Sequence, residues 1–540
     1  MLQVSDIAMP LDFGIENDLD ELAGAVARKL GLPRDALASV TMLRRAVDAR
    51  KKSNVHFVVT ALVELVDEQQ EEAVSSRMKN VKPYALPTDP LLEVRCALPA
   101  SASQRPLVVG SGPAGLFAAL LLARTGARPL VIERGGSVDE RTAAIARFHA
   151  TRVLDESTNV QFGEGGAGTF SDGKLTTGLS DPLIRSVLHA FVEHGAPAEI
   201  LWQAKPHIGT DLLPGIVRRI RESIERLGGE VRFHTRLAGL SQGPAGIRAA
   251  IVEGPDGASE EIEASAIVLA TGHSARDTYA MLERAGAALE RKPFSMGVRI
   301  EHPQALINRV QYGDAAAHPA LGAADYKLSC HLDSGRSAYT FCMCPGGEVV
   351  AAASEAGGLV VNGMSRFARD GQNANAALLV NVVPDDFAGE GPLAGVELQR
   401  RWERRAFELG GNSYIAPAQH VGDFLGTPLR KESPLVSPTY PLGIALCDLR
   451  DALPAFVAEA LREALPVFGR KLRGFDDPNA LMTGIETRSS APVRIVRDPS
   501  TLQSPTIGGL YPCGEGAGYA GGIMSSAVDG LRTAQAILRS

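Results

Sequence analysis

Hydrophobic positions are densest between Pro106 and Gly135, PLVVGSGPAGLFAALLLARTGARPLVIERG. Leu107-Val108-Val109 is a short unbroken apolar run, the pattern of a strand buried on both faces of a parallel sheet. Gly110-Ser111-Gly112-Pro113-Ala114-Gly115 follows, and then an alanine- and leucine-rich segment to Arg124 with helical composition. Leu130-Val131-Ile132 repeats the buried-strand pattern and ends on Glu133 and Arg134. Strand, glycine turn, helix, second strand and a carboxylate about 20 residues on make the βαβ dinucleotide-binding unit in order. Gly110 lets the chain turn off the strand, Gly112 lets backbone N–H groups approach a pyrophosphate, and Gly115 permits close helix packing. The helix N-terminus brings unpaired donors and partial positive charge to the phosphates. Glu133 is placed to accept bonds from both ribose hydroxyls.

The pattern elsewhere predicts three more regions. Residues 1–100 read as a small α/β domain: a strand at Leu2–Ala8, a helix capped by Asn17 and stopped by Gly31, strands at Val40–Val47 and Val55–Val66, and a helix at Glu68–Met78. The order βαββα suggests a ferredoxin-like module. Its basic run, Arg44-Arg45 and Arg50-Lys51-Lys52, reads first as a charged hairpin edge and second as a contact for an anionic partner. Lys82–Arg105 carries four prolines and reads as a linker. Residues 101–290 form the first part of the nucleotide domain, closed by a β-meander after the amphipathic Ile216–Leu227 segment. Its last strand ends in Ala270-Thr271-Gly272, which belongs beside the cofactor crevice. Ser274 and Asp277 read as a capping box. Residues 291–498 change to a mixed sheet, with helices at Val396–Leu409 and Leu453–Leu465, the latter ended by Pro466. This is an inserted substrate domain. Residues 499–540 return to the nucleotide sheet: Leu510–Cys513 is a last strand, and Gly514, Glu515, Gly521 and Gly522 lead into a helix beginning at Ile523. Glycine–helix devices at both ends of the core suit an extended dinucleotide, FAD rather than NAD, with Glu515 on the ribityl hydroxyls. The expected architecture is α/β, a Rossmann-like FAD-binding domain with an inserted mixed-sheet substrate domain and an N-terminal ferredoxin-like α/β domain.

Composition narrows the function. A chain of 540 residues with formal charge −7 is a multidomain protein with no overall bias toward nucleic acid. No secretory signal pattern opens the sequence, and the six cysteines form no CxxC pair, so a reducing cytoplasm is the expectation. No metal-ligand spacing occurs.

A glycine-rich stretch, Asn159 to Leu175, holds Gly163, Gly165, Gly166 and Gly168 between the apolar anchors Phe162 and Phe170. Ordering so many glycines is costly unless a ligand or another backbone approaches closely, so Gly165 and Gly166 are read against the flavin, with a flexible surface loop as the alternative. Lys174 behind them would steer an anionic substrate or stabilise reduced flavin. Cys342 and Cys344 share a strand face, so Cys344 is a redox candidate against the commoner reading as a buried apolar residue. Arg488 and Arg299 read first as surface or interdomain ion pairs and second as carboxylate or phosphate clamps. His273 is a proton donor or a structural histidine. Between Leu175 and Pro505 no second GxGxxG follows a strand, so no built-in nicotinamide domain is expected and electrons are to come from transiently bound NAD(P)H or from an electron-donor protein.

VVGSGPAGLFAA, NVQFGEGGAGTFSDGKL, ATGHSARDTY, FSMGVRIEHP, YTFCMCPGG, ETRSSAPVRI and CGEGAGYAGGIMSSAVDG together resemble the bacterial FAD-dependent dehydrogenase family. These are flavoproteins of the glutathione-reductase type, akin to geranylgeranyl-reductase-like enzymes. The resemblance runs from about residue 40 onward. It implies that Gly110, Gly112, Pro113, Ala114, Gly115, Glu133 and Arg134 hold the ADP half of FAD. Thr271 and Gly272 line the crevice, and Gly514, Glu515 and Gly521-Gly522-Ile523 hold the ribityl and flavin. The expected function is hydride transfer between flavin and a small organic substrate, with a flavin monooxygenase or an RNA-associated flavoprotein as alternatives.

Overall fold

The computed structural model describes residues 1–16, 18–85, 105–244, 246–432 and 434–539. At the N-terminus, Leu2–Met9, Leu37–Asp48, His56–Leu65 and Val81–Pro83 form one antiparallel sheet. Its spatial order is Leu37–Asp48, His56–Leu65, Leu2–Met9, Val81–Pro83. This is the ferredoxin-like order, with the first strand between the third and fourth. The fourth strand occupies the start of the expected linker, because pairing with Leu2–Val4 satisfies its backbone. Asn17, the expected helix cap, lies outside the described residues. The observed cap is Asp18, whose carboxylate accepts the Asp20 N–H at 2.8 Å, and Gly31 closes the helix at φ +66°.

The basic hairpin is docked rather than free. Arg45 lies between the rings of Phe57 and Trp202, at 4.6 and 4.7 Å. Its backbone pairs with Trp202 and Ala204 at 2.7 and 2.9 Å. Arg50 bonds Asp48, and Lys52 donates to the Gln311 carbonyl. Those partners weigh against the anionic-contact reading.

The nucleotide domain is built on a five-stranded parallel sheet. Its order is Leu510–Pro512, Ile267–Leu269, Leu107–Val109, Leu130–Ile132, Glu230–Arg232. Four of its strands are wholly buried, as unbroken apolar triplets demand. Helices Pro113–Arg124, Leu183–Glu193, Leu213–Arg226 and Ile523–Arg539 pack on one face, and a meander of Arg236–Gly243, Gly246–Glu253 and Ser259–Glu263 packs on the other. The expected meander is thus divided: its outer segments Glu230–Arg232 and Ile267–Leu269 pair into the parallel sheet instead, where their backbone finds parallel partners. Gly530 is required where two helices cross, since a Cβ there would lie 2.1 Å from the Ala114 carbonyl oxygen.

The inserted region is a seven-stranded mixed sheet. Phe294–Pro303 runs through its middle between Asn373–Val382 and Leu481–Glu486. The helix expected to end before Pro466 instead runs from Ala455 to Lys471 with Pro466 inside it. Continuation buries Phe468 completely, and that packing outweighs the bond the proline removes.

Candidate functional site

A single cavity of about 710 Å³ begins at the C-terminal ends of the parallel strands and reaches the mixed sheet. Such a strand edge is where open α/β sheets bind nucleotides. Gly110, Gly112, Pro113 and Ala114 line one arm, beside Glu133 and Arg134. Gly115 does not reach the cavity: a Cβ there would lie 1.9 Å from the Gly110 carbonyl oxygen, so its role is to close the turn. Thr271, Gly272, Gly514, Glu515, Gly521, Gly522 and Ile523 line the cavity from the other strand ends and the last helix. A Cβ on Gly272, Gly521 or Gly522 would meet no protein atom within 4 Å, so these glycines face open space that a cofactor can fill.

Glu133 differs from its expected role. It is buried, and its carboxylate already accepts four bonds, from the Ser111 N–H and hydroxyl at 2.9 Å, from Gly135 N–H at 3.0 Å and from Gly163 N–H at 3.1 Å. A carboxylate has about four lone-pair positions, so a ribose must compete with the Ser111 hydroxyl for one of them. Here Glu133 ties the first glycine turn to the second glycine loop.

That second loop has an organiser the sequence did not reveal. Arg141, fully buried in the Val138–Thr151 helix, donates to the carbonyls of Asn159, Val160, Glu164 and Gly166 at 2.5–3.1 Å. Its guanidinium also lies 4.7 Å from the Phe170 ring centre. Burial pushes its pKa down to about 10, which leaves it charged at neutral pH. Held this way, Gly166 lines the cavity with its Cα close to Gly112; an added Cβ would sit 3.0 Å from the Gly112 Cα. Gly165 points the other way, where a Cβ would strike the Thr169 hydroxyl at 2.1 Å, so it is removed from the cofactor-facing set.

Several crevice residues are committed to protein partners. Arg488 lines the cavity, yet its guanidinium pairs with the buried Glu403 at 2.8 and 3.0 Å and bonds Ser274 at 3.1 Å. Arg276 shares the same carboxylate at 2.6 Å. Arg488 is thus tied up in an ion pair within the inserted domain and is not a free clamp, while Arg276 makes the ion pair that crosses from the nucleotide domain. Ser274 and Asp277 form no capping box: the helix starts at Arg276 after Ala275. Ser274 donates to Gln161 at 3.2 Å, and Asp277 accepts from Arg134 and Arg236 at 2.8 and 3.0 Å. Burial, reinforced by Arg488 and Arg276, pushes His273 down to about 3, so it is neutral and cannot serve as a resident acid. Burial also raises Glu515 to about 7, opposed by Lys292 and by the Gly522 N–H.

The far arm of the cavity holds a charged cluster around a bulge in the Ser337–Cys344 strand. Between Phe341 and Cys344 the pairing with Asn373–Val382 slips by one residue, and Cys342 takes φ +40°. The slip sets the two thiols at different depths while leaving them in hydrogen-bond contact. Cys342 lines the cavity, whereas Cys344 is fully buried behind it with its S–H 3.2 Å from the Cys342 carbonyl oxygen. Cys344 therefore does not face the site, and Cys342 takes its place. Two cations grip this bulge. Lys174 donates to the Met343 carbonyl and pairs with Asp172 at 3.3 Å, and Arg299 donates to the Cys342 carbonyl at 2.9 Å. Arg299 is itself fully buried and bonds Glu486 at 2.5 Å, Asn362 at 2.7 Å and Asn375 at 3.0 Å. A hydrogen bond from Cys344, then Lys174 and Arg299, outweigh burial and hold the Cys342 thiol well below the usual range; Cys344 is correspondingly raised. Burial raises Glu486 to about 7 against the pull of Arg299. Glu486 was not singled out from the sequence, where it stands as one acidic residue in ETRSSAPVRI. Its partner lies 187 residues away.

The cradle of glycines, two helix N-termini and an inserted sheet closing over their crevice define a dinucleotide-dependent flavoprotein. The profile of pyridine nucleotide-disulphide oxidoreductases matches residues 105–291, and that of the FAD-dependent protein C-terminal domain matches residues 293–489. A domain of unknown function matches residues 1–64. An uncharacterized protein of Clostridium beijerinckii is 46% identical over 529 residues, 98% of this chain and 97% of its own length. The chain belongs to the same family as that protein, a family of FAD-dependent oxidoreductases. Aklavinone 12-hydroxylase DnrF of Streptomyces peucetius is 31% identical over 183 residues, 31% of this chain and 35% of the hydroxylase. Among solved structures, a geranylgeranyl bacteriochlorophyll reductase-like protein of Thermoplasma acidophilum aligns with TM-score 0.35 and 12% identity, covering 80% of this chain and 77% of that one. The flavin-dependent brominase Bmp2 aligns with TM-score 0.37 and 11% identity, covering 81% and 79%. Among the described residues, no helix is long and apolar enough to cross a membrane.

Proposed function

We propose that this FAD oxidoreductase moves a hydride between flavin and a small organic molecule held at the bulge end of the cavity, as in reduction or desaturation of a carbon–carbon bond. The observation that carries the reading is the continuity of one cavity from the glycine cradle to the Lys174–Cys342 cluster. FAD, bound there, supplies two-electron redox chemistry. Gly112 and the N-terminus of the Pro113–Arg124 helix would hold the pyrophosphate, with Glu133 and Arg134 on the adenosine side. Gly166, Glu515 and the N-terminus of the Ile523–Arg539 helix would hold the flavin side, and the helix dipole there favours negative charge. Lys174 adds a fixed positive charge where an anionic substrate or a developing anion would sit. NAD(P)H, binding transiently, or an electron-donor protein would supply electrons.

Small molecules that co-purify with the protein should include one that reoxidises the chemically reduced flavin without oxygen. Failure of every co-purifying or candidate organic acceptor to do so would overturn the reading. Hydroxylation is the second reading, supported by the partial match to the aklavinone hydroxylase. It predicts oxygen consumption coupled to a hydroxylated product.

A further inference from the structure

We propose that Cys342 and Cys344 are a dithiol–disulfide couple beside the flavin, through which a thiol-class reductant delivers two electrons. This rests on the FAD placement above. The pair stands on the inserted sheet, far in sequence from the glycine turn. The bulge supplies the geometry. A regular strand would set both thiols side by side on one face, but here the slipped register turns Cys342 to the cavity and leaves Cys344 directly behind it. One sulfur is open to a reductant and the other is shielded, the division of labour between an attacked and a resolving cysteine. Sulfur chemistry runs through thiolates, which need nearby positive charge. Lys174 and Arg299 bring that charge from two different elements and fix the bulge by the carbonyls of Met343 and Cys342. Cys513, by contrast, is fully buried, accepts the Thr533 hydroxyl at 3.3 Å, and is pushed up by burial and by Asp529.

The exchange balances. A thiolate of an external dithiol attacks Cys342 Sγ in the disulfide, and the Cys344 sulfur leaves and takes a proton. The reductant's second thiolate then closes its own disulfide and releases Cys342 as thiolate. In the second half, the Sγ–Sγ bond forms again. Two electrons and the Cys344 proton pass to oxidised FAD, the oxidant this family carries. Cys342 is the sulfur attacked because it alone of the pair lines the cavity.

Two measurements decide it. After oxidation with diamide, denaturation and alkylation, the peptide holding both cysteines should be unalkylated and two hydrogens lighter than its reduced form. This needs no variant and works on chain stripped of flavin. In the holoenzyme without oxygen, dithiothreitol should bleach the flavin. Cys342→Ser, Cys344→Ser and the double variant should each slow that bleaching by about a hundredfold, because the pair acts as a unit. Dithionite should still bleach them all. Two alkylated thiols after diamide treatment, or variants bleached by dithiothreitol at the parental rate, would overturn the proposal. A chain that takes up no FAD would defeat the cofactor placement instead, while the alkylation result still decides the cysteine pair.

Discussion

The two arms of the cavity are built on opposite principles. The nucleotide arm is organised around backbone, glycines and helix N-termini, with Glu133 tying the glycine turns together. The bulge arm presents side chains, with Lys174, Cys342 and Glu486 at the surface of the cavity and Arg299 behind them. Backbone donors suit a ligand that must be held in one pose whatever the reaction. Ionised side chains in a buried setting suit changing charge. The contrast teaches that binding and chemistry are separable here, and substitutions should separate them.

The largest effect is expected at Arg141, on the nucleotide arm. Arg141→Met would leave four loop carbonyls without their buried donor, costing about 3 kcal/mol or more. Both the urea midpoint and FAD content should fall; full FAD content would mean that the loop holds its shape unaided. Next comes Gly166→Val. Its φ of +63° and the 3.0 Å approach to Gly112 make any Cβ unfavourable, at about 1–3 kcal/mol before any contact with the cofactor. FAD affinity should drop by about a hundredfold with far-ultraviolet circular dichroism unchanged, and parental affinity in a flavin titration would remove Gly166 from the site.

Lys174→Met tests the other arm. FAD should stay bound, while reaction with the true substrate slows by about tenfold to a hundredfold through loss of one preorganised charge. Alkylation of Cys342 at neutral pH should slow as well. Loss of FAD with parental turnover per flavin would invert the division between the arms.

The smallest effect concerns Glu515 and pH. Its carboxyl rises from 4.5 to about 7 on folding, with burial the largest cause. The folded chain then holds this proton more tightly than the unfolded one. The associated stability is full below 4.5 and is lost as pH rises through about 7. Flavin-free Glu515→Gln should show a flatter dependence of thermal midpoint on pH across that window. An identical slope in both proteins would mean that Glu515 does not titrate there.

The nucleotide arm was legible because its signals are local. The Gly110–Gly115 turn, the helix after it and Glu133 lie within one βαβ unit, and the structure forms each of them. The ferredoxin-like order was legible for the same reason, through hydrophobic alternation in neighbouring segments. What the sequence concealed depends on distance. Arg141 reads as one charged residue on an amphipathic helix, and nothing nearby shows that it is fully buried among carbonyls. Arg299 and Glu486 are joined only when two strands of the mixed sheet pair. The bulge at Cys342 arises from pairing with Asn373–Val382, so the face each cysteine occupies cannot be read from the i, i+2 rule. Gly165 and Gly166 are neighbours in one motif, yet positive φ at both turns them to opposite sides.

The parallel sheet takes its outer strand, Leu510–Pro512, and the helix lying across Ala114 from the far end of the sequence. On the ribosome, the Pro113–Arg124 helix, almost wholly apolar and buried in the finished protein, therefore emerges nearly 400 residues before its cover. At about 5–20 residues per second, that greasy surface waits on the order of tens of seconds. The inserted sheet and the N-terminal module can consolidate meanwhile, but the cradle closes last. Nascent chains stalled within the insertion should be avid clients of hydrophobic-surface chaperones, and release should coincide with emergence of the Ile523–Arg539 helix.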